Sequence, residues 1–443
     1  MDWQNLLAPA RFGQKEQQNK NLDDIRSEFQ RDYDRIIFSS PFRRLQNKTQ
    51  VFPLPGSVFV HNRLTHSLEV ASVGRSLGNI VYSKISHLLD EKDTGVVREI
   101  DTVIATACLV HDLGNPPFGH SGEKSISHFF SHGKGKEVKA QVSEKQYADL
   151  TSFEGNANLL RLLTHQFQGR RKGGYVLTYA SLGTMIKYPY DSTSPATKGK
   201  FGFFQTEKDT FDDIMQRLQI PVIDKENVKY ARHPLVYLVE AADDICYQVM
   251  DLEDAHKLNI QSKEQVQKLF MAFFHAEKDK ALIKKINFTL KEVTDSNEQI
   301  AFLRAMVIGK LVNAAASVFE ENYQQIMQGT FSAKILDLIE PTLLEAMKTC
   351  KRTSIMEVYK HPSVVKIEIS GYNVIGALLD EFYQAIFYPD SDYSQKILSL
   401  MPKQYDSQSD DLYLKARSLV DFISGMTDVY AVDLFKQIKG YEL

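Results

Sequence analysis

The sequence predicts an all-α protein, and three observations carry that expectation. Apolar residues recur near 3.6-residue spacing, as Leu64, Leu68, Ala71, Leu77 and Val81 in one run and Ile104, Cys108 and Val110 in the next. The segment Pro234 to Leu258 runs through LVYLVEAADDICYQVMDLEDAHKL without a breaker, with proline at a plausible first helical position. Alternating strand-like patterns are scarce, and only a short β-ribbon near residues 174–204 is signalled, weakly.

In chain order, the first helix carries HNRLTHSLEV and the second carries DTVIATACLV, which is stopped by the Leu113–Gly114–Asn115–Pro116–Pro117 run. Loops are marked by VFPLPGS at 51–57, GNPPFGHSG at 114–122, GKGK at 133–136 and the Gly/Ser/Pro-rich stretch around 189–202. The charged segment 133–152 reads either as a flap over a site or as a passive insertion. Beyond residue 260, AFLRAMVIGKLVNAAASVF and YNVIGALLDEFYQAIF carry broad apolar stripes suited to buried or subunit-facing helices. The expected division is an N-terminal region, 1–260, holding the chemistry, and a C-terminal helical region, 261–443, packed on it and taking part in oligomerisation.

With 43% hydrophobic and 25% charged residues, the 443-residue chain has the composition of an ordinary globular protein. Lysine and arginine total 53 against 56 acidic residues, so the formal charge of −3 excludes a globally basic nucleic-acid coat, and an anionic ligand must meet a local basic pocket. Three cysteines, Cys108, Cys246 and Cys350, form no CxxC pair, which argues against a disulfide framework and a cysteine-ligated zinc and fits a reducing, cytoplasmic setting. No stretch approaches the ~18 apolar residues of a membrane span, so no membrane association is expected.

Hard ligands and imidazoles on apolar helices stand out: His66, His111, Asp112 and Asp243. Alone, a histidine such as His66 is more often a hydrogen-bonded core or surface residue than a ligand. His111 and Asp112 together, at the end of an apolar helix, form a charged pair whose burial needs compensation. A divalent cation supplies it, since two neutral imidazoles and two carboxylates neutralise a 2+ ion and leave octahedral positions for water and substrate. Asp243 sits mid-helix among apolar residues, where capping is an unlikely role, and Asp244 points about 100° away around the helix.

The order H…HD…D, with HNRLTHSLEV, LVHDLGNPPFGHSGE and YLVEAADDICY, resembles the HD-domain superfamily of metal-dependent phosphohydrolases. RRLQNKTQVF at 43–52, FEGNAN at 153–158, MIKYPY at 185–190 and ISGMTDVYA at 423–431 are similar to the bacterial deoxyguanosine triphosphate triphosphohydrolases, and together the segments span nearly the whole chain. The resemblance implies an all-α HD-domain helical bundle elaborated by further helices, and an enzyme splitting a dNTP, dGTP preferred, into deoxynucleoside and inorganic triphosphate. It implies a divalent ion, Mg2+ or Mn2+ with other transition metals open, held by His66, His111, Asp112 and Asp243.

It also places a proton-transfer pair at His120 and Glu123, three residues apart at a new helix start between Gly119 and Gly122. Without the resemblance, Glu123 has a lesser alternative as an acidic first-turn residue, and whether His120 acts as acid or base stays open. Arg63, three residues before His66, and Lys187 match phosphate contacts, although a lone lysine is more often a solvated surface charge. Asp243, Tyr247 and Asp251 recur every four residues on one helix face.

By resemblance Tyr247 stacks under the deoxyribose, while Asp251 with Gln50 binds its 3′-hydroxyl; the plain alternative is a core aromatic and a local cap. Asn156 and His165 are expected to line the cavity, with Tyr372 a further wall residue. His128, His132, His256 and His361 are assigned no duty. A homo-oligomer, tetramer or hexamer, is implied, and a dNTP effector or single-stranded DNA is a further expected partner, the DNA through Arg417, Lys351 and Arg352. The alternatives are an HD-type phosphodiesterase of another nucleotide and a catalytically silent nucleotide sensor.

Overall fold

The computed structural model describes residues 1–14, 25–52, 60–194, 199–226 and 228–441. Most of the predicted loop 51–57, and positions 195–198 of the stretch 189–202, lie outside the described residues. The helices that position the site are α1 (Arg63–Ile85), α2 (Ile100–Val110), α3 (His120–Ser131), α4 (Gly155–Thr164), α5 (Val236–Lys257), α6 (Ser296–Glu321), α7 (Pro341–Thr353), α8 (Pro362–Phe387), α9 (Leu412–Ser424) and α10 (Asp428–Lys439). Among the described residues the only sheet is the antiparallel pair β1 (Val222–Asp224) and β2 (Lys229–Tyr230). The ribbon therefore lies beyond the predicted 174–204, where Tyr179–Met185 is instead helical. Thr178 caps that helix through the Ser181 amide, and Gly/Ser/Pro content there encodes turns rather than strands.

Helix α1 starts at a capping box: Asn62 accepts the Thr65 amide at 3.0 Å, and the Asn62 amide donates to the Thr65 hydroxyl at 3.1 Å. Its buried face is not quite the predicted stripe. Leu68 is 41% exposed, whereas His66, Val70, Gly74, Leu77, Val81 and Ile85 face inward, so a polar imidazole occupies a core position at the helix's first turns. Gly74 and Gly78 let α2 approach closely, because a Cβ on Gly74 would lie 2.6 Å from Cys108 Sγ and one on Gly78 would lie 2.7 Å from Asp101 Cα. The crossing brings the start of α1 and the end of α2 together at the histidines.

Helix α5 begins two residues after Pro234, because the buried His233 ring takes over the start: its Nδ1 accepts the Leu235 amide at 3.2 Å and its Nε2–H donates to the Leu6 carbonyl at 3.3 Å. Burial holds His233 down to about 4. A histidine depressed in the fold contributes stability that is complete above its ordinary value near 6.5 and is lost as pH falls toward 4. Urea unfolding is expected to show roughly 3 kcal/mol less stability at pH 4 than at pH 7 from this group, a slope that His233→Gln should flatten. An equal slope in both proteins would contradict the assignment.

Helix α6 is long and apolar enough, by length and composition, to cross a membrane, which the sequence expectation did not foresee. Ile300, Leu303, Val307, Leu311 and Ala315 are buried in the main core beside Val70 of α1 and Val249 of α5, and Arg304 pairs with Glu253 of α5 at 2.5 Å. A second core joins Ile126 and Phe130 of α3 to Leu378 and Phe382 of α8 and Leu419 and Phe422 of α9. The segment 133–152 belongs to that core: Val138 and Leu150 are buried, and the Tyr147 hydroxyl donates to the Phe130 carbonyl at 3.0 Å.

Candidate active site

One cavity of about 510 Å³ is lined by residues from α1, α2, α3, α4, α5 and α8. At its floor His66, His111 and Asp112 bring ligand atoms within 4.8 Å of one another. Asp243 joins them, its Oδ1 lying 3.3 Å from His66 Nε2 and 3.4 Å from His111 Nε2. His111 Nδ1–H donates to the Cys108 carbonyl at 2.7 Å, which turns Nε2 inward, where it is buried and has no hydrogen-bond partner among the described residues. An unpartnered imidazole nitrogen aimed at two carboxylates is costly unless something binds it, so the donor set fits a hard divalent cation.

The carboxylates are poised as anions. Burial opposes ionisation of Asp112, but Arg63, His111 and His66 outweigh it and hold the carboxyl down to about 2. Asp243 is likewise buried yet held well below the usual range by His111 and His66. Arg63 Nη1 donates to Asp112 Oδ2 at 2.6 Å, and Asn115 Nδ2 donates to Asp112 Oδ1 at 2.5 Å. The loop holding Asn115 is fixed from below by Lys48, which donates to the Asn115 carbonyl at 2.6 Å and the Ser424 carbonyl at 3.2 Å. Gly114 cannot be replaced there, since a Cβ would lie 2.0 Å from the Gly155 carbonyl oxygen; Asn158 of α4 donates to the Gly114 carbonyl at 2.8 Å. Asp428, at the start of α10, ties the Thr49 amide (2.8 Å) to the Phe118 amide (3.0 Å), placing Gln50 and the 114–122 loop on one rim.

Above the cluster, His120 Nδ1 meets Glu123 Oε2 at 2.9 Å, and the imidazole is 80% exposed, while Glu123 Oε1 accepts the Gly155 amide at 2.8 Å. Burial opposes the Glu123 charge, but the His120 hydrogen bond and Lys200 keep its carboxyl below the usual value. Lys200 also pairs with Glu154 at 2.7 Å, and Glu154 accepts Asn156 Nδ2 at 2.6 Å. Lys187 lines the same cavity, 3.4 Å from Glu240. Burial works against its charge, but Glu240 and other anions raise its pKa above the ordinary value.

Gln50 and Tyr247 line the cavity too, and Asp251 lies just behind, where its Oδ2 accepts the Tyr359 hydroxyl at 2.5 Å. Burial raises Asp251 to about 7, against the opposing hydrogen bond from Tyr359.

Three expectations are corrected. Tyr372 is not part of the wall: Gly371 packs on Phe118, the Tyr372 carbonyl accepts Ser125 Oγ at 2.8 Å, and its ring lies by His128; Val364, Ile367 and Glu368, earlier on α8, face the cavity instead. His165 lines a different cavity, of about 390 Å³, with Arg44, Arg170 and Arg171, because α4 ends at Thr164 and its last turn points away from the metal-ligand floor. Arg417 is fully buried, stacked 3.7 Å over the Phe204 ring and 3.4 Å from Asp421, so it presents nothing to a nucleic acid; Lys351 and Arg352 are exposed on α7.

The residues the sequence reading missed are Tyr359, Glu240, Lys200, Glu154 and Asn115. Glu240 was within reach, one turn before Asp243 on the same face. Asn115 and Glu154 lie inside motifs already singled out, but nothing in their spacing reveals which partner they hold.

A helical scaffold that gathers two histidines and two aspartates, from two helices and the end of a third, at the floor of one cavity defines a metal-dependent phosphohydrolase of the HD type, and the HD domain model matches residues 63–177. A phosphohydrolase-associated domain model matches 338–437, which includes the α8 residues on the cavity wall. Proteins described as deoxyguanosinetriphosphate triphosphohydrolase-like are 36% identical in Pseudomonas aeruginosa, covering 99% of each chain, and 35% identical in Synechocystis sp., covering all of each. A deoxyguanosinetriphosphate triphosphohydrolase of Yersinia pseudotuberculosis is 29% identical over the whole of this chain and 99% of its own. The chain belongs to the HD-domain deoxyguanosinetriphosphate triphosphohydrolase family.

Proposed function

We propose that this protein hydrolyses dGTP to deoxyguanosine and inorganic triphosphate with one Mg2+ or Mn2+ ion held by His66, His111, Asp112 and Asp243. The observation that carries the reading is the co-location, in one cavity, of His111, Asp112 and Asp243, with His66 buried 3.3 Å from Asp243, the His120–Glu123 pair and the cations Arg63, Lys187 and Lys200. The preference for dGTP rests on the names of the relatives.

When bound, the ion offsets phosphate charge and makes a neighbouring water more acidic. Arg63 neutralises phosphate oxygens while keeping Asp112 in place, and Lys187 and Lys200 add the charge a tetra-anionic ligand demands. His120 has Nδ1 committed to Glu123, so proton transfer falls to Nε2 on the cavity side, and Glu123, anchored on the Gly155 amide, keeps the ring in that orientation. Tyr247 supplies the face on which the deoxyribose rests, Gln50 and Asp251 take its 3′-hydroxyl, and Asn156 stands on the wall beside Lys200. We assign the 261–443 region to subunit contacts in a homo-oligomer.

The test is chromatographic: metal-loaded protein is given each dNTP and GTP separately. The expected result is deoxyguanosine and intact triphosphate in equal amounts from dGTP, with GTP turned over at least ~10-fold more slowly, the discrimination expected of a close aromatic wall at the 2′ position. Deoxyguanosine monophosphate with pyrophosphate would overturn the reading.

A further inference from the structure

Lys48 stands behind the catalytic cavity rather than on its wall. It lines the separate cavity of about 390 Å³, whereas Thr49, Gln50 and Val51, next along the chain, face the catalytic one. The side chain is 3% exposed, and among the described residues its ammonium pairs with no carboxylate. Burial pushes it down to about 7, against the opposing pull of Asp428. Both of its hydrogen bonds go to carbonyls, of Asn115 at 2.6 Å and of Ser424 at 3.2 Å, so this buried lysine ties the loop after Asp112 to the end of α9.

The same loop residue reaches a metal ligand. Asn115, whose carbonyl Lys48 holds, donates its side-chain Nδ2 to Asp112 Oδ1 at 2.5 Å and its backbone amide to the Asp112 carbonyl at 3.2 Å. An ionised carboxylate only accepts, so the Asn115 N–H group faces Asp112 and its Oδ1 turns toward Gly155, where a Cβ would lie 2.1 Å from it. Glycine at 155 thus leaves room for the Asn115 side chain in that setting. With Oδ1 taken by Asn115, Asp112 turns Oδ2 toward Arg63, at 2.6 Å, and toward His111 Nε2, at 3.7 Å.

We propose that Lys48 is a positioning residue for the metal ligand Asp112: by holding the Asn115 carbonyl it fixes the side chain that orients the carboxylate, and it thereby strengthens binding of the divalent ion. This rests on the reading of His66, His111, Asp112 and Asp243 as metal ligands. Groups that orient a ligand without touching the ion typically change metal affinity by roughly 10- to 100-fold when they are lost, because the ligand must then be ordered at the moment of binding. Among the described residues Lys48 bonds none of the four ligands itself, so its effect runs through Asn115.

The test is Mn2+ affinity, read in metal-stripped protein from the EPR signal of the free ion, for the native chain, Lys48→Met, Asn115→Ala and the two combined. Each single substitution is expected to raise the Kd for Mn2+ by about tenfold or more. Once Asn115 is already alanine, Lys48→Met is expected to add less than about threefold, because the route through which it acts is gone. Should Lys48→Met not fold, Lys48→Gln, whose amide stops short of the Asn115 carbonyl, replaces it with the same expectations. A native Kd in a folded Lys48 variant, even one of lower melting temperature, would make Lys48 a structural tie only and overturn the proposal, as would effects that multiply in full in the combined variant. Absence of Mn2+ binding by the native chain would overturn the metal reading itself, and the proposal with it.

Discussion

Asp112→Ala is expected to abolish bound metal and turnover together, lowering kcat/KM for dGTP by about 10⁴-fold or more. The size follows from how much converges on this carboxylate. One oxygen takes Arg63 at 2.6 Å and the other takes Asn115 at 2.5 Å, while His111 Nε2 stands 3.7 Å away. Removing it strips the donor set of a charge, leaves the Arg63 guanidinium buried without its partner and frees the loop that Asn115 anchors. Elemental analysis of the purified variant should fall from about one ion per chain to none, with helical circular dichroism retained because Asp112 sits just past the end of α2 rather than in either apolar core. A variant that keeps its metal and its rate would remove Asp112 from the ligand set.

His120→Ala is expected to separate chemistry from metal binding, lowering kcat by roughly 10²- to 10⁴-fold, the usual reach of a positioned proton-transfer group. Among the described residues the imidazole's hydrogen bond runs to Glu123, which is in turn fixed on the Gly155 amide, and not to any of the four proposed metal ligands. Metal content should therefore stay near one per chain. Glu123→Gln should cost less than loss of the imidazole, because the amide still accepts a hydrogen bond but no longer favours the charged ring. Loss of metal from His120→Ala, or a kcat within about threefold of native, would refute the assignment.

Much of this arrangement was legible in the chain. The 3.6-residue spacing located α1 and α2, the unbroken run after Pro234 located α5, and the Leu113–Pro117 breaker located the exposed end of α2, because these signals are local and depend on residues near one another in the chain. What local signals cannot carry is which side of a helix a distant element will cover. Leu68 looked like core but faces solvent, because the face of α1 that meets α2 and α5 is the one bearing His66, Gly74 and Gly78. Arg417 looked like a surface cation but stacks on Phe204, far away in sequence.

The same holds within the site. His111 with Asp112, and Asp243 with Tyr247, were visible as pairs on single helices, whereas Tyr359 reaches Asp251 through an irregular turn with no periodicity to betray it. Tyr372 and His165 were placed on the cavity wall from their neighbourhood in the chain, and each helix turned them elsewhere. A short ribbon was anticipated, but in a Gly/Ser/Pro-rich stretch rather than around the 222–230 hairpin, where Val222 and Ile223 are exposed and give no alternating pattern.

The proposed hydrolysis to deoxyguanosine and intact triphosphate requires that water attack the α-phosphorus and the nucleoside leave through its 5′-oxygen, and the measurement that tests it most directly is hydrolysis of dGTP in ¹⁸O-enriched water followed by mass spectrometry of both products. One ¹⁸O atom in the inorganic triphosphate and none in deoxyguanosine is the predicted outcome. Label in deoxyguanosine, or a labelled monophosphate or pyrophosphate, would contradict it.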